Sequence, residues 1–215
     1  NFKEDCEYIF PHKWFGPKGP NHNVNDFCLN YKFYVIDLKT DDKKFDVVST
    51  LHSKDALRYK KFLRYNKKFL HNGDRFYYVS YKDFNNEATY ISEDIYPFTK
   101  TEVIDYIKDL VPKYRWGWYY QQLLKLYIFK MKEFSYDYIL ILDADILLLK
   151  NLVLFEANKP ILFQNLTGDK KMHIPYQKTN GYILPRLKSD GKESGICHLM
   201  LFHKQPINQL LQDIE

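Results

Sequence analysis

Tyr138-Ile139-Leu140-Ile141-Leu142-Asp143-Ala144-Asp145 is the stretch that decides the fold. Its apolar run is short and unbroken rather than alternating, which suits a central strand covered on both faces. The run ends abruptly at Asp143. Two aspartates just past the carboxyl end of a buried strand repel one another in a partly desolvated place unless something positive neutralises them. A hard divalent cation, Mn²⁺ or Mg²⁺, does so with oxygen ligands, commonly one or two carboxylates plus substrate phosphates. The crevice beyond the strand carboxyl ends is also where open α/β sheets bind ligands. Asp-Ala-Asp therefore reads as a clamp for a metal-bound diphosphate, with Asp145 a direct ligand and Asp143 serving the metal or the ribose hydroxyls. An ordinary polar turn is the competing reading of so short a motif.

Working outward, residues Trp116 to Met131 form an expected helix with apolar side chains around most of its cylinder, so burial is expected for it. Thr99, Thr101 and Glu102 open an earlier helix through Leu110, stopped by Pro112. Farther upstream, Phe45 to Thr50 is a β-branched run. Asp55 to Leu70 follows with helical spacing and Ser53 as its cap, Asn72-Gly73-Asp74 breaks it, and Arg75 to Ser80 reads as a second strand. Strand, helix, strand biases the fold toward a mostly parallel α/β sheet flanked by helices. Downstream, Lys159 to Gln164 is a possible strand and 165–194 a long binding-type loop. His198 to Phe202 is strand-like and Pro206 to Ile214 helical. Residues 1–44, rich in turn formers, read as an irregular arm with a strand at Tyr31 to Ile36; residues 45–215 form the main domain.

Composition narrows the partners. The formal net charge of +5 comes from lysines spread along the chain, which describes a solvated surface. No dense basic block interleaved with aromatics points to nucleic acid. The apolar runs fall well short of the roughly 20 residues a transmembrane helix needs. Asn1 to Glu7 is polar and acidic, unlike a signal peptide. Cys6, Cys28 and Cys197 make neither a disulfide framework nor a four-ligand zinc pattern, and a reducing, cytoplasmic setting is expected.

Four ordered segments carry a resemblance. Asp46-Val47-Val48-Ser49-Thr50-Leu51-His52-Ser53-Lys54-Asp55, Arg115-Trp116-Gly117-Trp118-Tyr119-Tyr120-Gln121-Gln122-Leu123-Leu124-Lys125-Leu126, Leu142-Asp143-Ala144-Asp145 and Gly195-Ile196-Cys197-His198-Leu199-Met200-Leu201-Phe202 resemble the motifs of GT-A-type glycosyltransferases. The branch in question occurs in bacterial polysaccharide clusters and large DNA viruses, which for a viral protein would mean the host cytoplasm. The resemblance implies a Rossmann-like GT-A sheet, a nucleotide-sugar donor (a UDP-sugar), Mn²⁺ or Mg²⁺, and a glycan or glycoprotein acceptor. By that resemblance Thr50, His52 and Asp55 hold base and ribose. Leu51 stands where the pattern has Thr before the His. Arg115 neutralises donor phosphate, as its planar, always-charged fork suits. Gln121 and Gln122 reach base or sugar, Trp118 lines the donor site, and His198 joins Asp143 and Asp145 as third metal ligand. Relatives continue past the helix at 206–214 into an acidic segment, so a shortened carboxyl end is expected.

The implied reaction is displacement of a nucleoside diphosphate from the anomeric carbon by an acceptor hydroxyl, assisted by a general base that the sequence does not single out. Asp190 and Glu193 are available in the loop. Two other classes compete. A haloacid-dehalogenase-like phosphatase also places D-x-D after an apolar strand, but it puts the motif on the opening strand and has Thr or Val where this chain has Leu147. A non-catalytic carbohydrate-binding or scaffold domain would keep the fold without turnover.

Overall fold

The computed structural model describes residues 43–84, 87–161 and 198–214. Within them β1 (Phe45–Thr50) leads through a 3-10 turn (Ser53–Asp55) into α1 (Ala56–Phe69), then β2 (Gly73–Ser80) and β3 (Thr89–Ser92). Next come α2 (Lys100–Ile107), α3 (Trp116–Met131) and β4 (Tyr138–Leu142). The short strands β5 (Phe155–Glu156) and β6 (Lys159–Pro160) follow, then β7 (Leu199–His203) and α4 (Lys204–Ile214). The five-stranded sheet has the order β3-β2-β1-β4-β7. β1, β2, β3 and β4 run parallel, and β7 lies antiparallel against β4.

The apolar run of β4 behaves as its sequence requires. Leu140 and Leu142 enter a cluster with Val47, Tyr59 and Leu63, which places α1 over one face of the sheet. Ile139 and Ile141 enter another with Val48, Val103, Leu124, Ile128 and Leu211, which places α2, α3 and α4 over the opposite face. Side chains alternate across a strand, so five unbroken apolar residues feed both layers at once.

Two buried polar residues lock this frame. Asp46, wholly shielded, accepts from the backbone N–H of Ser135 at 3.0 Å and Tyr136 at 3.3 Å, tying the lead-in of β4 to the start of β1. Asn66 of α1 donates to the Ile146 carbonyl (2.9 Å) and accepts from Leu148 N–H (2.8 Å). Those two bonds fix the segment that follows Asp143-Ala144-Asp145.

Some local expectations change. His52, not Ser53, caps the first turn, because its Nδ1 accepts from Lys54 N–H; Ser53 already belongs to that turn, and α1 begins at Ala56 without a side-chain cap. The Thr99–Glu102 capping box is present, but α2 ends at Ile107 rather than Leu110. Helix α3 is not buried all round. Tyr120, Leu124, Ile128 and Phe129 are buried where it packs on the sheet, whereas Trp118 at its outer end is 39 % exposed. Lys159 opens only the two-residue β6, hairpinned to β5 through Ala157 and Asn158 at φ 48 and φ 64. The arm before Lys43, with its strand at 31–36, and the loop 165–194 with Asp190 and Glu193 lie outside the described residues, as does Cys197.

Candidate functional site

The chain runs from β1 to β2 to β3 on one side of the sheet and then crosses back to lay β4 on the other side of β1. The strand order therefore reverses between β1 and β4, and the crevice past their carboxyl ends is the topological switch point where open α/β sheets bind ligands. Thr50 ends β1 and Asp143 follows β4. Their register, Val48 opposite Ile141, sets Thr50 beside Asp143 when carried on by two residues.

Asp143 is the hub of this place. Its backbone N–H donates to the His198 carbonyl (2.9 Å), extending the β4–β7 pairing by one residue and laying His198 alongside it. His198 Nδ1 then lies 3.0 Å from Asp143 Oδ2. From the helical layer, Lys125 Nζ donates to Asp143 Oδ1 at 2.5 Å. The side chains of Lys125 and Asp143 are only 15 % and 23 % exposed. Burial pushes the Asp143 carboxyl up, but the His198 hydrogen bond and the Lys125 charge outweigh it and hold the group below the usual carboxylate value. His198 moves the opposite way: its bond to Asp143 raises it, burial opposes, and the charges of Asp143 and Asp145 add to the rise. Asp145 is exposed at the tip of the turn closed by Ile146 N–H to the Asp143 carbonyl, 3.2 Å.

The expected cation ligands thus gather in one neighbourhood, but not as a metal cage. Both oxygens of Asp143 are engaged by protein donors. Among the described residues no group of three or more His, Cys, Asp or Glu is placed to hold a metal ion. At Asp143 the fold supplies a positive partner from its own side chains, while Asp145 stands exposed. As arranged, the three residues do not fit a divalent cation.

Lys125 is the residue that sequence reasoning passed over. It lies four positions after Gln121, one helical turn along the quoted motif, and a lysine in so apolar a helix was the available signal. Thr50 is buried, and its hydroxyl finds no hydrogen-bond partner among the described residues. His52 is exposed, its ring 6.3 Å from that of Tyr81. Asp55 lies 3.8 Å from Arg58. Arg115 stands at the amino end of α3, its guanidinium 5.5 Å over Trp118 and 6.0 Å over Tyr114, with no ion pair among the described residues. Trp116 Nε1 donates to the Val111 carbonyl (3.1 Å) and so fixes the loop that carries Arg115. Gln121 and Gln122 are half-buried on α3 and make no side-chain hydrogen bond to described residues. The structure brings Asp143, His198 and Asp145 together, with Thr50 across the switch point; Arg115 and Trp118 stand apart, beyond the end of the sheet.

No protein-family model matches the chain, and no curated protein matches it significantly. Among solved structures, mouse xyloside xylosyltransferase 1 in its apo form is similar, with a TM-score of 0.43 and 9 % identity, covering 78 % of this chain and 69 % of that one. At that level of likeness neither architecture nor activity transfers. What stands from the chain's own coordinates is a mixed α/β fold with a mostly parallel sheet flanked by helices. No helix among the described residues is long and apolar enough to cross a membrane.

Proposed function

We propose that this chain is a glycosyltransferase of the GT-A type that binds a nucleotide sugar, a UDP-sugar by the motif resemblance, and passes the sugar to a hydroxyl of a glycan or glycoprotein acceptor. The observation that carries this reading is the meeting of Asp143, Lys125 and His198 at the carboxyl end of β4, beside the switch point between β1 and β4. A carboxylate held in one orientation, each of whose oxygens can accept a second hydrogen bond, is what a ribose or sugar hydroxyl needs for recognition.

The amino end of α3 lies beyond the same edge of the sheet. Lys125 reaches Asp143 from mid-helix, and α3 extends toward Trp116 by about 1.5 Å per residue. The positive end of its dipole and Arg115 would meet a diphosphate, and charge growing on the departing phosphate would be stabilised by them. A cation at Asp143 would have to displace Lys125. The D-x-D follows the fourth described strand rather than an opening one, which favours a transferase over a haloacid-dehalogenase-like phosphatase.

The test is calorimetric titration with a panel of nucleotide sugars, alongside an assay of their hydrolysis. Saturable binding of one nucleotide sugar and slow release of its diphosphate are expected, both reduced in Asp143→Ala. Binding without turnover in the presence of acceptor glycans would support a non-catalytic carbohydrate-binding domain, and failure of every nucleotide sugar to bind would sink the reading.

A further inference from the structure

We propose that the Lys125 ammonium is the resident cation of this site, holding at Asp143 the place that a divalent metal takes between paired carboxylates, so that the site is charge-balanced without metal. Three observations converge on it. Lys125 donates to one oxygen of Asp143 at 2.5 Å, and His198 lies 3.0 Å from the other, so each oxygen already carries a cationic or N–H partner that an arriving metal has to compete with. Both partners in the ion pair are largely shielded from water, where an electrostatic contact is screened least. The second aspartate, Asp145, stands exposed at the turn tip, outside that shielded pair.

A metal arriving here must therefore shed water, strip Asp143 of its lysine and then sit beside the ammonium it displaced. Mg²⁺ loses water reluctantly, and like charges a few ångströms apart in a shielded place repel strongly. A lysine suits the task because its ammonium is a compact point charge with three donors, of which Asp143 uses one. It is carried by a helix whose buried face is pinned to the sheet by Leu124 and Ile128, so the charge is delivered by a rigid element.

Mn²⁺ alone is the probe, followed by electron paramagnetic resonance and calorimetry on the intact chain, wild type beside Lys125→Gln and Lys125→Arg. Wild type and Lys125→Arg should take up Mn²⁺ only weakly and without saturation. Lys125→Gln, with Asp143 released toward Asp145 and His198, should bind at least about tenfold more tightly, and Asp145→Asn in that background should remove the gain. Lys125→Met serves the same purpose should the glutamine variant not fold. Saturable Mn²⁺ binding by the wild type that is unchanged or weakened in Lys125→Gln would overturn the proposal. So would equally poor binding by all variants, since lysine would then not be what excludes the metal. A parallel titration with UDP in EDTA reports on the nucleotide reading separately: loss of UDP binding with the Mn²⁺ pattern intact removes that reading and leaves this one standing.

Discussion

His198 lies beside Asp143 across the β4–β7 pairing, joined twice: its carbonyl accepts the Asp143 N–H, and its Nδ1 approaches Oδ2 at 3.0 Å. The side-chain bond raises His198 above its ordinary value of 6.5. A histidine that binds its proton more tightly when folded adds stability that is fully present below the unfolded value and is lost as pH rises through the folded one. The thermal midpoint in EDTA should therefore fall between about pH 6 and about pH 8, and His198→Asn should flatten that slope. Equal slopes in the two proteins would mean that the histidine keeps its unfolded affinity for the proton.

Asn66 predicts a different loss. It satisfies a buried N–H and a carbonyl in the segment after the aspartates, from a helix on the face of the sheet opposite α3. Asn66→Ala strands both groups and should cost about 2–4 kcal/mol in urea unfolding. Because the same bonds position the turn that carries Asp145, donor binding should weaken even at temperatures where the variant is fully folded. A destabilised protein with undiminished affinity would separate this anchor from the site.

These two cases mark how far the sequence could be read. The run Tyr138–Leu142 told its own story, since an unbroken apolar pentapeptide has to feed two layers, and it does. That Asp143 lies past the carboxyl end of a covered strand followed from the same run; that the strand order reverses there is seen only in the topology. Lys125 was legible only as an oddity in an apolar helix, because a helical lysine ordinarily leads its stem out to solvent, and its partner is set by how α3 lies on the sheet. The sequence reading sought a positive charge at the aspartates in a metal; the Lys125 charge at Asp143 was hidden by a sequence separation of 18. Likewise the capping role fell to His52 over Ser53 because the 3-10 turn begins at Ser53, two residues before the Asp55 start that helical periodicity suggests.

Trp118 offers a test of the phosphate end. It is 39 % exposed, and its ring faces the Arg115 guanidinium at 5.5 Å. An exposed cation–π contact of this kind is worth about 0.5–1 kcal/mol, so Trp118→Ala should leave the unfolding midpoint nearly unchanged. Releasing the guanidinium to wander should nevertheless weaken UDP binding by roughly three- to tenfold, the effect of about 1 kcal/mol of lost preorganisation. Arg115→Lys should weaken it as well, because an ammonium does not reproduce the planar fork. Affinity that survives both changes would place the diphosphate elsewhere.

Asp46 is the case where burial and charge conflict. It is completely shielded, one oxygen accepts from Ser135 and Tyr136 N–H, and the other finds no partner among the described residues. Burial raises its carboxyl above 3.8, more than the two backbone donors and the Arg75 charge can lower it. A carboxyl raised on folding binds its proton better in the native state, so its contribution favours folding at low pH and is lost as pH rises through the raised value. Asp46→Asn keeps the acceptor for both N–H groups and no longer titrates. It should match or exceed the wild type in urea midpoint at about pH 8, with the difference narrowing toward about pH 4. Asp46→Ala, which strands two backbone donors, should cost about 2–4 kcal/mol. If the asparagine variant proves as unstable as the alanine one, the negative charge itself is required, and the attraction of Arg75 must outweigh the desolvation that the geometry implies.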